Sequence, residues 1–115
     1  MTLLGEIETL LAGTTNLYIG CMPDSPNNVV CLFNSGGMPR LLNGTELEMP
    51  SFQVRVRNTS WSTGQALCET IKDTLHGSTT SSILLCEQSG DILDIGRDAQ
   101  GRQEWTVNFN TIFRR

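Results

Sequence analysis

Leu3, Ile7, Leu10 and Leu11 recur at helical spacing, with Thr2 placed to cap the start and Gly13 to close the end. This pattern predicts a short amphipathic helix over 2–12. Residues 17–21 then read as a strand. Residues 22–27 carry two prolines and an Asp-Ser pair, which cannot continue a ladder and so predict a loop. Val29 to Phe33 is almost continuously apolar, as in a strand covered on both faces. Ser35-Gly36-Gly37 breaks it, and residues 38–50 read as an extended loop with a turn signal at Asn43-Gly44.

From residue 52 the period changes. Phe52, Val54 and Val56 alternate with Gln53, Arg55 and Arg57, which predicts a half-buried strand with a basic outer face. A helical stripe of Ala66, Leu67, Ile71, Thr74 and Leu75 follows, with Cys68 at its edge, predicting a helix over 63–76. Ser62 and Gln65 have capping-box spacing, Trp61 is placed to staple on Ala66, and Gly77 suits the position after the helix. His76 falls at the helix C-terminus, where a positive charge is favoured. After a polar linker at 78–82 come strands at 83–87, 92–96 and 105–109, separated by turns at 89–91 and 99–102. The order is α-β-β-β-α-β-β-β. Segregated helices and hairpin-spaced strands predict an α+β fold, with a mainly antiparallel sheet packed with two helices in one domain over 1–115.

Composition narrows the classes. The chain has 115 residues, 38% hydrophobic and 17% charged, too apolar and too weakly charged for a disordered chain. Its net charge of −4, with a single Lys, excludes a general nucleic-acid binder. No apolar run approaches the ~20 residues of a membrane span, so no membrane partner is expected. The N-terminus lacks a basic region and places Glu6 and Glu8 among its leucines, which does not read as a signal peptide. Cys21, Cys31, Cys68 and Cys86 form no CxxC pair and each sits in an apolar run, as buried free thiols would.

Chemistry is sparse. The single His has no adjacent nucleophile motif, so no catalytic residue is expected. Asp91, Asp94 and Asp98 lack the Gly and terminal Glu of a calcium loop, and read as solvated turn and strand-end acids rather than a metal site. Ser35-Gly36-Gly37 is neither a GxGxxG nor a phosphate loop, so no cofactor is expected. Arg55 and Arg57, two residues apart on one strand face, are the strongest candidates for a contact surface, since guanidinium forks suit carboxylates and interface ion pairs. Asp24 in the proline loop and Arg97 beside Gly96 are further interface candidates.

Several of these segments are distinctive as a set. They are Tyr18-Ile19-Gly20 with Met22-Pro23-Asp24-Ser25-Pro26-Asn27-Asn28, Ser35-Gly36-Gly37 with Pro39, and Pro50 to Arg57. Gly96-Arg97-Asp98, Gly101-Arg102 and Val107-Asn108-Phe109 complete it. In this order and spacing the set resembles the small minor capsid, or tail-terminator, family of long-tailed bacteriophages and prophages, over residues 16–109. The resemblance implies a virion component without enzymatic activity and without catalytic residues to carry over. It implies a ring of copies of this chain, commonly a hexamer, that caps the finished tail tube and stops its polymerisation. The implied partners are the tail tube protein and the head connector or neck protein, with DNA passing through the lumen unbound. The implied location is the head–tail junction, after assembly in the host bacterial cytoplasm. A head-completion or neck protein is an alternative of the same class, and a small intracellular ligand-binding domain one of another class. A closing ring needs two different complementary patches per subunit. Low charge and scarce Lys suit a surface that neighbours cover.

Overall fold

A computed structural model describes residues 2–39 and 47–114. The elements are α1 (Leu3–Leu10), β1 (Leu17–Ile19), β2 (Val29–Met38), β3 (Leu47–Asn58), α2 (Trp61–Leu75), β4 (Ile83–Gln88), β5 (Leu93–Arg97) and β6 (Gln103–Arg114). Type and order follow the hydrophobic pattern throughout. The six strands form one sheet in the order β1-β2-β3-β6-β4, with β5 also paired to β6. β1 runs parallel to β2 and every other pair is antiparallel. β6 is the hub. It pairs with β3 along its length, while its other side takes β5 against Gln103–Thr106 and β4 against Phe109–Phe113.

Both helices pack on one face of this sheet. Val30, Leu32, Phe52, Val54, Val56, Trp105, Val107 and Phe109 point into the core they cover, and the Phe52 and Phe109 rings stack with centroids 5.0 Å apart. From α1 come Leu3, Leu4 and Ile7, with Thr2 Oγ1 accepting the Gly5 N–H at 3.1 Å as the expected cap. Burial of these apolar side chains, each worth about 1.5–3 kcal/mol, is the main source of stability.

The second helix differs from its sequence reading in phase and in start. Its N-cap is Ser60, not Ser62, and the Ser60 Oγ accepts the Thr63 N–H at 3.4 Å. Asn58 decides this: its Oδ1 accepts the Ser60 N–H at 2.9 Å and turns the chain straight out of β3. Gln65 completes no capping box and instead accepts a hydrogen bond from Trp105 Nε1 at 3.1 Å. Trp61 does not staple on Ala66. It lies half-exposed and donates to Asp94 Oδ2 at 3.2 Å. The buried stripe is Gly64-Cys68-Ile71-Leu75, so Cys68 is central, whereas Ala66 and Thr74 face outward. A Cβ on Gly64 would collide with the Trp105 ring at Cη2 and Cζ3. Glycine is what lets the helix approach that indole.

The Ser35-Gly36-Gly37 break is a bulge rather than an end. β2 pairs Asn34 with Phe52 and then Gly37 with Pro50, so β2 carries one extra residue and continues to Met38. Gly37 has φ +122°, and a Cβ there would collide with the Met49, Pro50 and Ser51 backbone. β3 accordingly begins at Leu47, inside the segment read as loop. The Asn43-Gly44 turn signal lies outside the described residues. Cys31, Cys68 and Cys86 are buried as expected, but Cys21 is exposed, because it leads into the loop at 22–28 instead of ending β1.

Candidate functional site

The motif segments scattered through the chain converge at one end of the sheet. Arg57 lies on the helix-free face of β3, but it is not the exposed contact residue that its spacing from Arg55 predicts: it is only 4% exposed. Its Nε donates to the Asn27 carbonyl at 2.9 Å. Its Nη2 donates to the carbonyls of Pro23 at 2.6 Å, Pro26 at 2.7 Å and Asp24 at 3.3 Å. A carbonyl-rich proline loop without its own ladder folds back over the strand and buries the guanidinium that satisfies it.

A second arginine clamps the same loop. Arg102 begins β6's approach from the turn after β5 and is 6% exposed. Its Nη1 donates to the Asp24 carbonyl at 2.7 Å and its Nη2 to Asp24 Oδ1 at 3.0 Å, while Nε donates to Asp98 Oδ2 at 2.8 Å. Asp98 in turn accepts the backbone N–H groups of Arg102 at 2.9 Å and Gln100 at 3.0 Å. Gln100 Nε2 reaches Asp24 Oδ1 at 3.2 Å. Two buried cations, costly to desolvate, are thus compensated by one surface loop together with the Asp98 carboxylate. Asp24 belongs to this cluster, with its carboxylate still largely exposed. Arg97 does not join the loop: its Nη1 donates to the Gly101 carbonyl at 2.7 Å and braces the turn. Arg102 and Asp98 were missed as site residues. The available signal was the Gly-Arg-Asp…Gly-Arg pattern with acid and arginine four apart. Asp98 is not the solvated turn acid expected.

The Arg102 backbone N–H, aided by the other donors and the guanidinium, holds Asp98 below the usual carboxylate range. The sign follows from linkage. Stability from a depressed carboxylate is complete above its unfolded value of ~3.9 and is lost as pH falls through the lower folded value. Urea melts between about pH 5 and pH 2 should show wild-type stability falling in that window, with a shallower fall for Asp98→Asn. Equal slopes for the two proteins would count against this account.

Arg55 shares the helix-free face but has a different environment. Its side chain is about one-third exposed and its Nη2 reaches Glu104 Oε1 only at 3.5 Å. Its Nε is buried without a hydrogen-bond partner. Beside it runs a ladder of neutral polar pairs, Ser51 Oγ to Asn110 Oδ1 at 2.7 Å and Gln53 Nε2 to Asn108 Oδ1 at 3.1 Å. Neither α1 nor α2 covers this face.

Several titratable groups elsewhere hold or pack the fold. His76 Nδ1 accepts the Gln88 N–H at 2.9 Å, tying the α2 end to β4. Burial pushes the Cys31 and Cys86 thiols up to about 11 and Cys68 to about 12. Asp91 and Asp94 point to different partners, Lys72 and Trp61. Among the described residues no group of three or more His, Cys, Asp or Glu is placed to hold a metal. Among them, too, no helix is long and apolar enough to cross a membrane. A cleft of about 610 Å³ lies between the α1 end, α2 and the start of β2. Threonines, asparagines and leucines line it, with no charged side chain.

The fold and surface define an α+β subunit with one helix-covered sheet face, one open polar face and an arginine-braced loop at the sheet end. The chain belongs to the bacteriophage tail terminator family: the family model described as bacteriophage tail terminator protein matches residues 3–115. It is a phage-type structural tail protein. Among solved structures, a chain described as "Virion of native gene transfer agent (GTA) particle" has the same fold, with a TM-score of 0.61 at 12% identity. The match covers 95% of this chain and 84% of that one. No curated protein matches the chain.

Proposed function

We propose that residues 1–115 act as a single tail-terminator domain that closes into a ring of six copies at the end of the tail tube. The ring ends tube polymerisation and presents its other side to the head connector or neck protein, at the head–tail junction. The observation that carries this reading is the family match over residues 3–115. The surface is compatible with it. Arg55 on the open sheet face is about one-third exposed, the Asp24 carboxylate is largely exposed and Arg97 lies in the exposed β5, so all three side chains can meet neighbours. The subunit works by contact rather than by catalysis, needs no cofactor and assembles in the host bacterial cytoplasm. DNA crosses the lumen without tight binding, because each neutralised phosphate adds affinity and this chain has a net charge of −4.

Light scattering with negative-stain imaging should show either a ring whose mass is a multiple of the 12.7 kDa subunit, or a monomer that becomes a ring on the tube end. Deletion of the gene should give tails of uncontrolled length that fail to join heads. Normal-length tails joined to heads would overturn the reading. Heads that leak DNA above normal tails would point to a neck protein instead.

A further inference from the structure

The sheet treats its edges unequally. Outside β4 lies the α2–β4 connection, and it occupies that edge. Gly77 N–H donates to the Cys86 carbonyl at 2.7 Å, Thr80 N–H to the Ile83 carbonyl at 2.9 Å, and Gln88 N–H to His76 Nδ1 at 2.9 Å. Native proteins cover edges in this way because an open row of N–H and C=O groups templates pairing with another chain. β5 and β1 receive no such cover. Among the described residues, their backbones bond only within the ladders to β6 and β2.

The uncovered edges also carry exposed apolar side chains. Every residue of β5 is exposed, including Leu93 at 60% and Ile95 at 48%. Trp61 stands beside it, anchored to Asp94 and half-exposed. On the far edge Ile19 of β1 is 41% exposed. Neither strand carries a Lys or a Pro, and the charges of β5 are Asp94, which is tied to Trp61, and Arg97, which is tied to Gly101. Both edge strands are short. A register shift between Asp94 and Gly96 interrupts the five-residue β5, and β1 has three residues.

We infer that the subunit contact is a strand-edge junction in which β5 of one copy, with Leu93 and Ile95, receives β1 of the next copy, with Ile19. The two edges lie at opposite sides of the sheet, so the contact is head-to-tail and leaves a fresh edge at each end until a ring closes. Backbone bonds supply the pairing and the apolar side chains exclude water from it. The inference rests on the ring reading above and specifies its interface.

The test uses cysteine pairs in a Cys21→Ser chain, which removes the exposed native thiol while the other three stay buried. With a short bismaleimide, the Ile19→Cys, Ile95→Cys double variant should give a ladder of covalent oligomers. Either single variant should give none, because like positions are far apart in a head-to-tail ring. In parallel, Ile95→Lys, which alters an exposed side chain, should run as a 12.7 kDa monomer at concentrations where the wild type is a ring. A ring-forming wild type with no ladder, a dimer from Ile95→Cys alone, or an intact Ile95→Lys ring would each overturn the edge junction and leave the ring reading standing. A wild-type chain that forms a ring neither in solution nor on the end of a tail tube would overturn the ring reading itself.

Discussion

Gly64→Ala should destabilise the protein by about 2–3 kcal/mol, the upper part of the range for overpacking a core. Helix propensity alone gives the opposite sign, because Ala in a helix interior is favoured over Gly by about 1 kcal/mol. The two effects can be ranked from geometry. The added methyl would sit on Cη2 and Cζ3 of Trp105 and 3.0 Å from Asn58 Cβ. Trp105 is fully buried in the core and held through its Nε1 by Gln65, so the ring cannot swing away cheaply. The collision therefore wins. Thermal unfolding should show a Tm lower by roughly 10 °C. Trp105→Phe, which lacks the six-membered ring of the indole, should cushion the change, with a coupling of about 1–2 kcal/mol in the double-mutant cycle. A Gly64→Ala protein as stable as the wild type, or more so, would show that the helix shifts freely over the sheet.

The second large effect separates two arginines that the sequence presents as a pair. Arg57→Ala should cost about 3 kcal/mol, since it strips four carbonyls of the loop at 23–27 of a charged donor, and such bonds are worth about 1.5–3 kcal/mol each before the loop re-solvates. Arg55→Ala, two residues away on the same strand face, should stay within about 0.5 kcal/mol, because it gives up only the long, partly exposed contact to Glu104. Urea melts compare the two, and limited proteolysis at 22–28 reports whether the loop has opened in the Arg57 variant. Equal costs for both substitutions, or a loop that stays protected without Arg57, would contradict the clamp. For assembly work the distinction matters: Arg55 can be changed to probe the open face without disturbing the fold, whereas Arg57 cannot.

How much was readable in advance varies along the chain for identifiable reasons. The alternation of Phe52, Val54 and Val56 with polar residues reports a strand with one buried face, because side chains alternate strictly across a sheet. It does not report what lies over the other face. The proline loop returns from 30 positions away to cover Arg57, and no local pattern encodes that. The α2 stripe misled because Gly64 has no side chain to register as apolar, though its position against Trp105 sets the helix phase. The strand ends at Met38 and Leu47 were hidden by a Gly-Gly bulge and a proline, residues that ordinarily signal a stop. The residues that brace the loop were legible as members of motifs. Their convergence was not, since Asp24, Arg57 and Arg102 meet only through β-pairing across 33 and 78 positions of sequence.

By itself the sequence determined the identity and order of the elements, because hydrophobic period is a local property that each segment carries alone. Its motifs also carried the family. Only the tertiary structure decided which arginine is spent inside the molecule, which cysteine is left outside, and which sheet edges are closed. Those outcomes depend on what arrives from elsewhere in the chain to cover a given group. Burial and pairing are relations between segments, and a segment does not state its partner.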